Sequence, residues 1–268
     1  ITVTHNSKKD LFGYVESFLT YKNKIDIEFI FVENSGDESI SDETFKLKKA
    51  NHKVTHLYSE NKGFGAGCNI GAEHATNNIL LFANPDIEFR SNFDELLKLK
   101  DVQFFGGGRI AGSNGIDSSV DLYPEHKNFF TEIFNPQRYK FIKDILPSRF
   151  FFPSGAFFFS NKELFLNVGG FDEEFFLYHE ESELSHRLRN ETEEPILFDQ
   201  IKAYHKGFGS HSSNNKALLD ETESFIKYCQ KRNKLELLKK RLDTFYLLSF
   251  FSNTSKKRFR ILKQRVFE

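Results

Sequence analysis

The chain has two cysteines in 268 residues, Cys68 and Cys229. Two thiols cannot build a disulfide framework, and no secretory signal precedes Ile1, so a reducing cytoplasm is expected. Methionine is absent, initiator included, which leads us to expect that the true start lies outside this sequence. There is no internal repeat and no low-complexity segment. A hydrophobic content of 39% with 28% charged residues excludes a disordered or transmembrane chain. The length fits one large domain, or a domain with an appendage.

What the chain does have is phenylalanine, 33 of them, enough to supply much of a core and more. The net charge of −1 hides an asymmetry. From Lys227 onward there are 13 Lys and Arg against 3 Asp and Glu, a net of +10, whereas the preceding residues carry 24 against 35, a net of −11. An acidic body with a basic tail points to partners.

Apolar segments at 1–4, 27–32, 54–58 and 79–83 read as strands. Helical patterns separate them. One covers 9–21, with Val15, Phe18 and Leu19 on one face; another runs from Ser41 over Phe45 and Leu47; a third covers 66–76 and is entered through glycines. Alternation at this spacing predicts βαβ units, a mainly parallel sheet in three layers and right-handed crossovers. Further on, the pattern predicts a helix over 92–100, a strand over 102–105 and a glycine turn at Gly106-Gly107-Gly108. A long surface excursion is expected over 111–148. A strand over 150–160 is interrupted by Pro153-Ser154-Gly155, and a short helix over 162–168 ends at Gly169-Gly170. Residues 180–190 read as helix, 195–201 as the last strand and 214–268 as helical.

The run 79–83 reads as a buried parallel strand that Asn84-Pro85-Asp86 terminates. Asp86 is then presented at the strand's carboxyl end, where open α/β sheets bind ligands. With Asn84 beside it and Glu88 two residues on, it suits a hard divalent cation bridging the protein to a phosphate. Ordinary turn chemistry is the other reading. Glycines 63, 65, 67 and 71 open the helix at 66–76 and suit a pyrophosphate at its positive end. They equally suit tight packing of that helix on the sheet. The spacing Gly65, Gly67, Gly71 is not the dinucleotide fingerprint, and it follows the third strand instead of the first.

Glu33-Asn34-Ser35 ends the second strand at the same edge. Glu33 is a loop acid or an acceptor for the imide N–H of a pyrimidine. Between Gly169 and Leu184, six acids and His179 are interleaved with aromatics. The dipole of a helix starting near Glu180 favours some of those acids. A carboxylate partly desolvated among aromatics also has the raised pKa of a general base. His205 follows the final strand as a structural histidine or a ligand. Neither it nor His211 has cysteine partners at zinc spacing.

In this order, six segments resemble the family 2 glycosyltransferases of GT-A fold, especially the bacterial rhamnosyltransferase-like group. They are Val3-Thr4-His5-Asn6, Phe31-Val32-Glu33-Asn34-Ser35, Asn61-Lys62-Gly63-Phe64-Gly65-Ala66-Gly67-Cys68-Asn69-Ile70-Gly71, Asn84-Pro85-Asp86, Gly169-Gly170-Phe171-Asp172-Glu173 and Phe176-Leu177-Tyr178-His179-Glu180-Glu181. The resemblance spans about residues 1–210. It implies an α/β GT-A domain over 1–213, with a nucleotide-binding half (1–100) and an acceptor and catalytic half (101–213), followed by a basic, aromatic helical extension (214–268). It also implies metal-dependent, inverting hexosyl transfer, with rhamnose as the sugar, from a dTDP- or UDP-linked donor. The acceptor would be a glycan or lipid-linked molecule in cell-surface polysaccharide synthesis.

By that resemblance Asp86 holds Mg²⁺ or Mn²⁺, with Asn84 replacing the first acid of the family's D-x-D element, and His205 contacts metal or diphosphate. Glu33 meets the nucleoside base. Thr4, Asn6, Asn61, Gly63, Phe64, Gly67, Asn69, Asn84 and Glu180 lie along the nucleotide sugar. Glu181 deprotonates the acceptor hydroxyl. Glutamate stands where the family usually has aspartate at 33 and 181, which leaves open a homologue that binds a nucleotide sugar without turning it over. A nicotinamide-dependent oxidoreductase is disfavoured by the glycine spacing.

In the tail, Phe245-Tyr246-Leu247-Leu248-Ser249-Phe250-Phe251 precedes Lys256-Lys257-Arg258-Phe259-Arg260. The apolar run is too short to span a bilayer. Residues 241–268 suit the anionic inner face of the cell membrane, or a helix packed on the domain or in a homodimer. Nothing else resembles a nucleic-acid recognition module.

Overall fold

The computed structural model describes residues 1–36, 40–99, 102–112, 117–133, 147–192, 194–207 and 215–267. The predicted alternation is present. It comprises β1 (Thr2–Thr4), α1 (Lys8–Thr20), β2 (Glu28–Glu33), α2 (Ile40–Lys49), β3 (Lys53–Tyr58), α3 (Phe64–His74) and β4 (Ile79–Ala83). Strands β1, β2 and β3 pair in parallel. Helix α1 buries Leu11, Tyr14, Val15 and Phe18, a single 3.6-residue stripe. Leu19 lies about 100° round from Phe18 and is 36% exposed, so it leaves the face expected of it; Phe45, on α2, is exposed as well.

The second half adds β5 (Ile87–Phe89), a 3₁₀ turn at Asp94–Leu99, β6 (Phe105–Gly112), β7 (Val120–Leu122), α4 (Phe129–Ile133), β8 (Phe151–Pro153) and β9 (Phe157–Asn161). Helices α5 (Lys162–Asn167) and α6 (Glu180–Glu191) and strand β10 (Ile196–His205) follow. Three helices close the chain: α7 (Asn215–Lys231), α8 (Glu236–Leu248) and α9 (Asn253–Phe267). The sheet order here is β4-β9-β6-β10-β5. The Ile1 amino group donates to the Leu81 carbonyl (2.8 Å), and the Ala83 amide to the Ile1 carbonyl (3.0 Å). These bonds run β4 parallel to β1 and join the two sheets. On its other side β4 pairs antiparallel with β9, so the strand expected to be purely parallel stands where the sheet turns mixed.

Three expectations change here. The helix expected over 92–100 is not seen among the described residues, which end at 99; Asp94–Leu99 is a 3₁₀ turn. The three glycines at 106–108 are strand, not turn. A Cβ at Gly106 would sit 1.9 Å from the Ile196 carbonyl oxygen, and one at Gly108 2.4 Å from the Phe157 ring. Glycine is thus required where β6 meets β10 and the core, by closeness of approach. The last strand runs on to His205. Within the expected excursion, β7 pairs with β8 and α4 is helical; residues 113–116 and 134–146 lie outside the described residues, as do His211 and the expected boundary at 213.

The core lies on both faces of the sheet. Phe157, Phe158 and Phe159 are all fully buried; the outer two face one cluster with Phe29 and Phe31, the middle one another with Ile30 and Val32. A strand buried on both faces shows no alternation, which is why these segments read as continuous apolar runs. The C-terminal helices form a separate cluster around Phe225, Tyr228 and Phe245, which Phe175 joins.

Candidate active site

Strands β1, β2 and β4 end at one edge of the sheet, and β10 ends there too. The Asn84 amide donates to the Ala156 carbonyl (3.0 Å), and the Asn84 carbonyl accepts from the Ile87 amide (3.1 Å). Asn84-Pro85-Asp86 is therefore a real turn, and the turn is what aims Asp86. Strand β10 runs antiparallel to β5 with His205 opposite Ile87, which brings His205 Nε2 to 3.1 Å from Asp86 Oδ1. The Gly207 amide donates to Asp86 Oδ2 (3.1 Å). Burial raises the pKa of Asp86, but the His205 and Gly207 bonds outweigh it and leave it lowered, so the carboxylate is ionised at neutral pH. Glu88, read as part of the same cation site, instead pairs with Lys206 (3.1 Å) and Arg90 (2.7 Å). Asp10, in the first turn of α1, is pushed up by burial and then by the charge of Asp86. Nothing in the sequence linked those two acids, 76 positions apart.

Glu33 is fully buried. Thr4 Oγ1 donates to its Oε2 (2.5 Å), and the Ser35 amide and hydroxyl both donate to its Oε1. Ser35 Oγ also accepts from the amide of Asn6 (3.1 Å), which is left-handed at φ +55°. Ser59 Oγ donates to Asn34 Oδ1 (2.7 Å). Glu33 thus braces the ends of β1 and β2, and Asn34, Ser35 and Ser59 complete a polar rim that sequence reading only partly picked out.

The glycines of α3 act chiefly in packing. A Cβ at Gly65 would meet Phe171 at 2.9 Å, one at Gly67 would meet Val3 at 2.8 Å, and one at Gly71 would meet Ile1 at 2.4 Å. Gly63 has φ +108°, and its Cβ would lie 2.3 Å from the Phe176 carbonyl oxygen. That oxygen accepts from the Phe64 amide (3.0 Å), so one donor expected to face a pyrophosphate is taken by the chain itself. The Asn61 side chain accepts from the Gly63 amide (3.2 Å). Asn69 clamps the acidic segment: its Nδ2 donates to the Phe171 carbonyl (2.9 Å) and to Glu173 (3.0 Å), and its Oδ1 accepts from the Phe171 amide (2.8 Å).

That segment delivers two carboxylates. Tyr178 and His179, both left-handed at φ +70° and +68°, turn the chain into α6. Two consecutive non-glycine residues there cost roughly 1–3 kcal/mol each, strain that gathers at functional sites. The His179 carbonyl accepts from the Glu183 amide (3.0 Å) and the Ser182 hydroxyl (2.9 Å), which hold the turn. Glu180 is 4% exposed and Glu181 is part-buried. One oxygen of each, Oε2, is buried without a hydrogen-bond partner. Burial, and next the neighbouring Glu181, pushes Glu180 well above the ordinary range. Burial likewise raises Glu181, with Asp121 adding and its backbone amide and Lys127 opposing.

A Cβ at Gly155 would lie 3.4 Å from Glu181 Cβ, and the next residue, Ala156, holds Asn84. The Glu181 carboxyl and the Asp86 turn therefore flank the same 155–156 connection. No group of three or more His, Cys, Asp or Glu that could hold a metal forms among the described residues. A cavity of about 500 Å³, lined by residues such as Ile27, Phe29, Ile79 and Leu81, lies at the opposite, amino-terminal edge of these strands and holds none of the predicted residues.

A sequence model described as glycosyltransferase-like family 2 matches residues 2–196. The chain belongs to that family. The match runs from β1 to the start of β10 and leaves α7 to α9 outside. No curated protein matches the chain. Among solved structures, GalNAc-T7 with UDP, GalNAc and Mn²⁺ superposes at TM-score 0.63 and 14% identity over 99% of this chain and 55% of its own. The present chain thus spans about half the length of that protein. The mannosyltransferase PcManGT from Pyrobaculum calidifontis, with GDP-Man and Mn²⁺, gives 0.55 at 11% over 99% of this chain and 68% of its own. S. aureus TarS 1-349 with UDP-GlcNAc gives 0.53 at 15% over 94% and 72%. At these identities the likeness is one of fold, and the fold of this family 2 glycosyltransferase is GT-A.

Proposed function

We propose that this family 2 glycosyltransferase moves a sugar from a nucleoside-diphosphate donor to an acceptor hydroxyl with inversion, and that Glu181 is the base. One observation carries the reading: a glutamate with an unpartnered buried oxygen and a raised pKa flanks the turn that presents an ionised aspartate. The acceptor hydroxyl gives its proton to Glu181 and attacks the anomeric carbon, whose bond to the diphosphate breaks on the opposite face; the electron pair leaves with the diphosphate. One base suffices for such a displacement. Glu33, through Thr4 and Ser35, fixes the rim where the nucleoside would lie.

The donor set also fits a divalent cation. Asp86 Oδ1 and His205 Nε2 converge to 3.1 Å and offer one oxygen and one nitrogen, which suits an ion completed by diphosphate oxygens and water. Mg²⁺ or Mn²⁺ there would neutralise the leaving diphosphate. GalNAc-T7 carries Mn²⁺ beside UDP, and PcManGT carries it beside GDP-Man, in keeping with this use.

The resemblance to rhamnosyltransferases makes rhamnose the proposed sugar, carried on dTDP or UDP, and a surface glycan or its lipid-linked precursor the proposed acceptor. A thermal-shift panel of nucleotides and nucleotide sugars with Mn²⁺ tests the donor. We expect stabilisation by dTDP over UDP; the reverse removes rhamnose, and no response removes the reading. Glu181→Gln should lose transfer by about 10²–10⁴-fold, the usual weight of a general base, with donor-induced stabilisation unchanged. Full activity in that variant rules out Glu181 as base.

A further inference from the structure

The turn between α8 and α9 carries the two most exposed large hydrophobic side chains among the described residues. Phe250 is 68% and Phe251 78% exposed, and Tyr246 and Leu247, one turn earlier on α8, are 49% and 44% exposed. The inward faces of the same helices are already occupied: Phe245, Leu248 and Leu262 are buried. The outward four lie outside the buried core, and clustered exposed apolar residues mark an interaction site. Tyr246 packs edge-on against Phe250 (5.3 Å between centroids) and beside Phe259 (5.5 Å), which holds the corner as one surface.

Its rim is cationic. Lys256, Lys257 and Arg260 are exposed on the following helix and form no ion pair among the described residues. Asp243 is the sole acid from 241 to 267. No helix among the described residues is long and apolar enough to cross a membrane. Protruding aromatics beside unpaired cations match a surface that is anionic at the headgroup and apolar just beneath it. A symmetric contact between two copies would instead turn each cationic rim toward its own equivalent, which disfavours self-association.

From this we infer that the α8–α9 corner docks the protein on an anionic bilayer surface, with Phe250 and Phe251 entering the interface and Lys256, Lys257 and Arg260 engaging headgroups. The inference does not depend on the sugar-transfer reading.

The chain has no tryptophan, so Phe251→Trp places a single reporter at the tip. Its emission should shift to the blue with phosphatidylcholine vesicles containing phosphatidylglycerol, and not with phosphatidylcholine alone. Co-sedimentation of the otherwise unaltered chain should follow the same pattern and weaken with salt. Lys256→Glu/Lys257→Glu should weaken vesicle binding by about thirtyfold or more, the weight of two surface cations. Phe250→Ser/Phe251→Ser should weaken it by at least about tenfold. Melting curves identify a variant that fails to fold, and the charge pair then stands as an independent arm. The inference is overturned by absent vesicle binding, or by binding that survives both pairs of substitutions. Loss of a concentration-dependent dimer in the serine variant without vesicle binding would assign the corner to a second copy, and binding to a single-stranded oligonucleotide alone would assign it to nucleic acid.

Discussion

A carboxylate buried with one oxygen unpartnered is costly unless something else makes use of it. Glu180 and Glu181 both carry that cost at the start of α6, and both have raised pKa values. For the proposed base, catalysis needs the deprotonated form. The acidic limb of the kcat profile should therefore lie above the ordinary glutamate value of 4.5, and activity should fall as pH drops through it. Stability has the opposite sign. A raised native pKa means that the folded state binds the proton more tightly, so its contribution is full below 4.5 and is lost as pH rises through the raised value. We expect Glu181→Gln, which stays neutral, to melt higher than the parent chain at pH 8, with the gap closing at pH 4. A variant that melts lower at pH 8 would show that the charge is satisfied in solution.

Among the elements, α3 and the segment from Gly169 to His179 fit as a unit. Gly63→Ala must place a Cβ against the Phe176 carbonyl oxygen at a backbone angle of φ +108°, where side chains are strained. The expected cost is about 2–4 kcal/mol, the sum of backbone strain and a displaced contact, with donor affinity falling alongside the melting temperature. Glu28 is a second element-scale test. It accepts from the Thr76 and Asn77 amides and pairs with Lys53, binding the loop after α3 to the start of β2. Burial opposes its ionisation, but those bonds win and hold its pKa at about 2. Its stabilisation is present above 4.5 and lost as pH falls toward 2. Glu28→Gln should cost about 2 kcal/mol at pH 7 and nothing at pH 2, measured by denaturant unfolding.

The same elements show what a sequence can and cannot reveal. Buried strands such as β2 and β4 announce themselves as apolar runs, and β1 and β3 follow from their spacing, so the edge holding Thr4, Glu33 and Asp86 was legible. Glycine was ambiguous, because a residue without a Cβ serves a turn and a close approach equally. At 106–108 the approach of β10 and Phe157 decided for strand. His205 was legible as a residue but not as the neighbour of Asp86, since their meeting depends on the antiparallel pairing of β10 with β5, more than a hundred residues apart. Asp10 was invisible because it meets Asp86, 76 positions on, only through the packing of α1 against β5.

At the scale of the whole molecule, the charge asymmetry turns partly inward. Lys231 pairs with Asp172 (2.6 Å) and Glu174 (2.7 Å), and Arg241 with Glu132 (2.7 Å). The basic tail is thus docked on the acidic body near the segment that carries Glu180 and Glu181. The deepest link is Tyr228 of α7, whose hydroxyl meets both Glu125 oxygens at 3.0 Å and His186 Nε2 of α6 at 2.8 Å. Burial, then Arg232 and Arg189, lowers His186 to a pKa of about 3, so the ring is neutral and can donate to the tyrosine oxygen while the hydroxyl donates to Glu125. Tyr228→Phe keeps the ring packing and removes that junction, leaving a carboxylate and an imidazole short of partners at a cost of about 1–3 kcal/mol. Because His186 and Glu181 share α6, the loosening should reach the proposed base. We expect a melting temperature lower by several degrees, a donor affinity within about twofold of the parent, and a reduced kcat. If the melting temperature falls while kcat holds, the C-terminal helices stabilise the fold without setting the geometry of the proposed base.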